Sequence, residues 1–191
     1  MPEPVDRGGL QHSTHHGLRD RADMTPRPAG ASRVTMSAQM NPSDANPGGN
    51  VHGGTIMKMV DTAAGVCAMR HCRTRVVTAS LDSMSFLHPV YVGDIVTVLA
   101  SVNDVGSTSM EIGVRVEAED IRSGEVRHTS SAYLVFVALD SKGQPTPVPP
   151  LLVETEDERR RQAHAKIRRE SRRARQEALK RTMDPGFAPP A

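Results

Sequence analysis

Residues 51–72 read VHGGTIMKMVDTAAGVCAMRHC, and their reading decides the fold. The stretch holds no proline, and its apolar residues recur at helical spacing. At about 100° per residue, Ile56, Met59, Val60, Ala63 and Cys67 fall on one face, which predicts a single helix of roughly five turns. On its N-terminal side lies NPSDANPGGN (41–50), dense in residues that make turns. Before that turn, Val34, Met36, Ala38 and Met40 alternate with polar residues, the signature of a first strand.

After Arg75 the period switches to two and the segments become β-branched. Strands are expected near 75–87, 95–104, 107–121 and 126–139, separated by turns at 92–94, 105–106 and 123–124, each containing a glycine. The last three strands follow one another across short connections, the mark of an antiparallel meander. One strand, one long helix and four more strands leave the helix a single place to bury its apolar face, the sheet. The expected fold class is α+β, an antiparallel sheet wrapped around one long central helix: the hotdog arrangement.

The flanks differ in character from this body, which spans 33–153. Residues 1–32 are rich in Gly, Pro, His, Arg and Asp without apolar period and read as a disordered leader. His12, His15 and His16 within it read as part of a solvated tail rather than as metal ligands. SKGQPTPVPP (141–150) closes the body. Thr155 followed by Glu158 then forms a capping-box signal for a last helix. Its sequence, ERRRQAHAKIRRESRRARQEALKR, has only Ile167 and Leu179 as large apolar residues. The tail, 154–191, is therefore expected to be a solvated helix, or one docked thinly on a partner, with a disordered end.

A formal net charge of +2 hides this division. Residues 34–153 carry 8 Lys/Arg against 11 Asp/Glu, a net of −3, whereas 154–181 carry 11 against 6, a net of +5. The helical stretch 154–181 interleaves Glu with Arg and has no aromatic residue for base stacking, which argues against nucleic acid and against stable membrane association. Cys67 and Cys72 match neither a disulfide framework nor a zinc pair and read as buried thiols in a reducing compartment. No apolar run reaches transmembrane length, and the first residues lack the apolar core of a signal peptide. The cytoplasm is the expected location.

Three stretches resemble the brain-type, cytosolic branch of the hotdog acyl-CoA hydrolases: DANPGGNVHGGTIMKMVDTAAG (44–65), RHCRTRVVTASLDSMSFLHPV (70–90) and VPPLLVETEDERRR (148–161). With GSTSMEI (106–112) between them, the similarity covers about residues 33–165. The resemblance implies hydrolysis of medium- to long-chain fatty acyl-CoA to free acid and CoA, without metal or organic cofactor. It also implies a homodimer with sites at the dimer seam, often built further into a hexamer, a trimer of dimers. In tandem members of the family one repeat supplies a functional Asn and the other a functional Asp. This single repeat retains both, as Asn46 and Asp61, with Asn50 an alternative for the former.

Chemistry assigns the remaining roles. Asp61 is the sole acidic residue in 51–72, so it is the one base or nucleophile that helix can offer. The competing reading is an ordinary surface pair with Lys58, three residues back. Gly53 and Gly54 start the helix, where unpaired N–H groups can hold an oxyanion and no side chain blocks a thioester. His52 precedes them as a substrate-side residue with packing as its alternative. His71 and His88 read as structural. The turn with Ser107, Thr108 and Ser109 offers hydroxyls and N–H groups suited to phosphate, and the resemblance makes it a candidate for the pantetheine or diphosphate of CoA. Arg70 and Arg73, near the helix end, are candidates for its 3′-phosphate. Met57, Met59, Met84 and Phe86 are candidates either for an acyl tunnel or for plain core. Two rivals remain in view, a hotdog dehydratase and a non-hydrolytic acyl-CoA-binding regulator.

Overall fold

The computed structural model describes residues 23–182. The chain begins with β1 (Arg27–Pro28), turns through a 3-10 segment (Ala29–Ser32) and enters β2 (Val34–Gln39). A second 3-10 turn at Pro42–Asp44 leads to helix α1 (Gly53–Cys72). Strands β3 (Arg75–Phe86), β4 (Ile95–Val105), β5 (Ser109–Asp120) and β6 (Glu125–Leu139) follow, then β7 (Leu151–Leu152) and helix α2 (Glu156–Thr182). The long elements lie within a residue or two of where periodicity puts them, with the last strands entered slightly later or earlier.

Five strands form one antiparallel sheet in the order β2-β4-β5-β6-β3, so β2 and β3 are its edges. Alternation along the strands sends Val96, Val98, Ala100 and Val102 of β4 and Met110, Ile112, Val114 and Val116 of β5 to one face. There they meet Ile56, Val60, Ala63, Ala64 and Cys67 of α1. The small residues of α1 let its backbone approach closely: a Cβ on Gly65 would stand 3.6 Å from the Phe136 ring. Cys67 and Cys72 are free and buried here, and burial pushes the Cys67 thiol up to about 12. The helix ends at Arg73, which takes the left-handed conformation (φ 59°) and donates its N–H to Met69 O at 2.8 Å.

Two expectations are corrected. Residues 23–32 do not belong to a structureless leader. β1 pairs in parallel with β7, Arg27 N–H donates to Pro150 O at 2.9 Å, and Ala29 and Ser32 are buried. A two-residue strand beside a proline-rich segment leaves no periodicity to read. The second correction concerns α2, whose residues up to Arg172 are not a free solvated helix, whereas residues 173–181 are exposed. It docks on its own sheet, on the face away from α1, through charges rather than apolar side chains.

The expected capping box is present: Glu158 N–H donates to Thr155 Oγ1 at 3.2 Å, and Thr155 N–H returns to Glu158 Oε2 at 3.2 Å. Farther along, Arg168 pairs with Glu111 (2.6 Å), Arg169 Nη2 stands 2.6 Å from Asp104 Oδ2, and Arg172 pairs with Asp82. A β-bulge between Val102 and Asp104 turns Asp104 to the α2 side opposite Glu111. No helix among the described residues is long and apolar enough to cross a membrane. His12, His15 and His16 lie outside the described residues.

Candidate active site

Helix α1 is stopped at its start by His52, whose Nδ1 accepts the Gly54 N–H at 2.9 Å. That bond fixes the imidazole as an N-cap and occupies one of the two donors expected to hold an oxyanion. Gly53 N–H has no partner among the described residues. The ring of Phe86 lies over this glycine; a Cβ there would stand 3.4 Å from Phe86 Cζ. The free donor therefore sits beneath an aromatic side chain that is itself 53% exposed.

Two turns along the helix, Asp61 projects to the surface, and the Lys58 alternative is not realised: no ion pair joins them among the described residues. Instead Thr78 of β3 donates its hydroxyl to Asp61 Oδ1 at 2.8 Å. This leaves Oδ2 open and holds the carboxylate against the sheet edge. Thr78 is the residue that sequence reasoning missed. No local signal marks it, because the contact joins residues seventeen apart on different elements.

Asn46 closes the turn before the helix. Its Oδ1 accepts Gly48 N–H at 2.8 Å and its backbone N–H donates to Asn50 O at 2.7 Å. The local role anticipated for a turn asparagine thus uses the carbonyl end and leaves the Nδ2 amide free to donate outward. Asn50 serves the same turn through its backbone and bridges to Tyr91. No hydrogen bond joins Asn46 to Asp61 within the chain.

The remaining candidates gather at the other end of the helix. Gly53 and Arg70 are separated by roughly 25 Å at 1.5 Å per residue. Arg70 donates to Arg33 O at 2.8 Å, and Arg73 caps the helix. The Ser107–Ser109 turn belongs to this end too: Ser107 O and Thr108 O accept from Val148 and Ala138 N–H groups, leaving the three hydroxyls free of partners among the described residues. Asn46, His52, Gly53 and Gly54 thus gather at the helix start, Arg70, Arg73, Ser107, Thr108 and Ser109 at its other end, and Asp61 stands about midway along the helix. His71 is fully buried, its Nε2 bonded to Pro149 O at 3.0 Å, and burial lowers its pKa below the ordinary 6.5. That role is structural, as expected.

Residues 48–125 match the model of the thioesterase superfamily. Protein VdlD of Helicobacter pylori is 40% identical over 162 residues, 84% of this chain and 88% of that one. The cytosolic acyl coenzyme A thioester hydrolase of Rattus norvegicus is 38% identical over 71% of this chain, which spans 36% of that longer protein. Among solved structures, the acyl-CoA hydrolase of Staphylococcus aureus, in complex with butyryl coenzyme A, coenzyme A and coenzyme A disulfide, superposes with a TM-score of 0.76 at 36% identity, covering 82% of this chain and 95% of that one. The chain belongs to the acyl-CoA hydrolases of the thioesterase superfamily.

Two further likenesses bear on this hydrolase. An apo-hexameric acyl-CoA thioesterase matches with a TM-score of 0.77 at 36% identity, over 79% of this chain and 97% of that one. The Staphylococcus aureus enzyme has also been solved with an aspartate, an asparagine or a threonine changed to alanine. In the hydrolase described here, exposed apolar side chains stand on the helix and the strand that carry Asp61 and Thr78. Met57 stands on α1, and Val77, Leu81 and Phe86 stand on β3, whose outer backbone edge has no strand beside it among the described residues. Met59 and Met84 pack against the core instead.

Proposed function

We propose that the hydrolase cleaves medium- to long-chain fatty acyl-CoA in the cytoplasm, with Asp61 as general base or nucleophile. The observation that carries this reading is the Asp61 carboxylate, held by Thr78 on the helix that presents a free Gly53 N–H two turns earlier. The aspartate, asparagine and threonine changed in the Staphylococcus aureus variants stand at the same mutual spacing as Asp61, Asn46 and Thr78, which supports assigning all three to the reaction. Thr78 is a positioning residue that orients Oδ1 and leaves Oδ2 for a water or the thioester carbon.

In the base form, Asp61 takes a proton from water as the water oxygen attacks the thioester carbonyl. The carbonyl oxygen becomes an oxyanion that Gly53 N–H can meet, and the carbon–sulfur bond then breaks. CoA leaves as thiolate and takes up the proton. Gly54 N–H joins the oxyanion only when His52 releases it. Asn46 adds its Nδ2 from the partner subunit. The unpaired β3 edge and the apolar side chains around Asp61 support a two-fold seam there, because pairing would cover both and remove water from an otherwise exposed carboxylate. Three such dimers would build the hexamer, with Arg70, Arg73 and the Ser107–Ser109 turn of one subunit serving CoA bound at another.

The test is Asp61→Asn, assayed by thiol release and by CoA binding. Turnover should fall by about 100-fold or more, the usual scale for a general base, with CoA affinity barely changed. Mixing Asn46→Ala with Asp61→Ala subunits under exchange should restore part of the activity, because each heterodimer regains one complete pair. Near-normal turnover in Asp61→Asn would end the assignment. Substrate loss without free thiol would favour the dehydratase.

A further inference from the structure

A cavity of about 530 Å³ opens on the opposite side of the sheet from α1, between α2 and the outward side chains of β4, β5 and β6. It shares no residue with the group around Asp61. Five arginines converge on it: Arg33 from the start of β2, Arg115 from β5, and Arg160, Arg161 and Arg168 from α2. Each has a carboxylate nearby, but Arg160 and Arg161 share Asp157, so the ring keeps one cation in excess. A guanidinium carries five N–H donors and a carboxylate occupies at most two or three, so donors remain over the opening.

The floor is unusual for the outer face of a sheet. Ser101 Oγ and Asn103 Oδ1 are buried and have no hydrogen-bond partner, although their residues are only 9% and 3% exposed. Asn103 cannot turn away. It lies over Gly113, where an added Cβ would stand 2.4 Å from its Nδ2, and that Nδ2 is committed to Glu111 at 3.2 Å. Its carbonyl oxygen is thus left as a lone acceptor, and a buried acceptor without a donor is unfavourable. Arg161 Nε, on the wall, is likewise buried and unpaired. A built acceptor below and spare guanidinium donors above specify a ligand that donates at one end and is anionic at the other.

We propose that this cavity is a second ligand site, separate from the thioester site, for a phosphate ester of a hydroxyl-bearing small molecule. The phosphate lies among Arg115, Arg160 and Arg161, which meet its oxygens with paired N–H donors. A hydroxyl or amino group of the organic part donates to Asn103 Oδ1, and Ser101 Oγ bonds to a neighbour. The volume suits a ligand of nucleotide or sugar-phosphate size. The site does not depend on the catalytic reading, and its test does not use turnover.

The test is titration calorimetry of the full chain with inorganic phosphate, adenosine monophosphate and glucose 6-phosphate, repeated with CoA saturating. The expected result is that at least one ester binds tighter than inorganic phosphate and does so equally with CoA present. The tighter ester identifies the organic part. Arg115→Gln with Arg160→Gln, both at exposed positions, should weaken that binding by tenfold or more, and Arg115→Gln alone by less. Ser101→Ala should weaken the ester and leave inorganic phosphate unchanged. Esters that bind no tighter than phosphate, binding indifferent to the arginine changes, or binding displaced by CoA would each overturn the proposal.

Discussion

The two faces of the sheet are both covered by a helix, yet they are held by opposite physics. On one face α1 buries Ile56, Val60, Ala63 and Cys67 against valines and isoleucine of β4 and β5. On the other, the α2 stripe is Ala165, Arg168, Arg169 and Arg172, spaced as an apolar stripe would be but built of charge. Its counterparts are Glu111, Asp104 and Asp82, whose side chains are 3%, 3% and 8% exposed. Arg168 also lies over the Tyr133 ring at 3.7 Å. Apolar burial is non-directional and tolerates sliding, whereas matched buried ions fix a register and penalise any loss of one partner. The first face supplies cohesion; the second supplies orientation.

The largest effect should come from breaking the second face at one stroke. A chain ending at Ala165 lacks Arg168, Arg169 and Arg172 and leaves Glu111, Asp104 and Asp82 without their cations. Removing one partner of a buried pair costs about 3–5 kcal/mol, and a domain of this size loses roughly 2–4 °C per kcal/mol. Thermal unfolding should therefore drop by ~10 °C or more, with α1 still packed and thiol release retained in whatever remains folded. A melting temperature within a few degrees of the full chain would show that the ion pairs merely decorate the surface.

The contrast also explains what the sequence disclosed. α1 and the four long strands were legible because burial there is apolar, and apolar burial writes itself as a period of 3.6 or 2. Thr155 and Glu158 were legible because a capping box is local. The docking of α2 was not, since its stripe is charged and charge reads as solvent; the clue lay in Asp104 and Glu111, two acids that stay buried close to the β4–β5 turn. At the candidate site, Asp61, Asn46 and Gly53 could be singled out from motif and chemistry. Thr78 could not, because its contact joins residues on different elements. Nor could the separation of Arg70 and the Ser107–Ser109 turn from Gly53, which depends on the helix lying full length along the sheet.

Acid should separate the faces. His71 sits at the buried end of α1, where burial lowers its pKa below 6.5, aided by the nearby Arg27 and opposed by its bond to Pro149 O. Below pH 6.5 the unfolded chain takes up a proton that the folded one refuses, so stability falls as pH drops through that value. Glu158, which starts α2, is held below its ordinary 4.5 by the N–H groups of Glu154 and Thr155 and by Arg33. Its contribution is present above 4.5 and is lost only as pH falls further. Melting curves from about pH 7 to pH 5 should fall in the native chain and flatten in His71→Gln, with the α2 side unaffected until lower pH. A native curve flat over that range would remove His71 from the account.

The smallest effect is the one that isolates burial from charge. Arg159 and Arg172 lie on the same helix, and each pairs with a carboxylate. Arg159 meets Glu156 at 2.8 Å with side chains 57% and 86% exposed, whereas Arg172 is 15% exposed and its partner Asp82 8%. Water already solvates the first pair, so Arg159→Gln should cost ~0.5 kcal/mol or less and move the melting temperature by about 1–2 °C. The same change at Arg172 leaves Asp82 buried with only the Ser80 hydroxyl, 3.2 Å away, to stabilise its charge. That variant should lose about 3 kcal/mol. Adding salt to ~1 M should erase the Arg159 effect and leave most of the Arg172 effect, because ions screen exposed pairs far better than buried ones. Equal losses from the two substitutions would mean that α2 is held by its charge alone, wherever that charge sits.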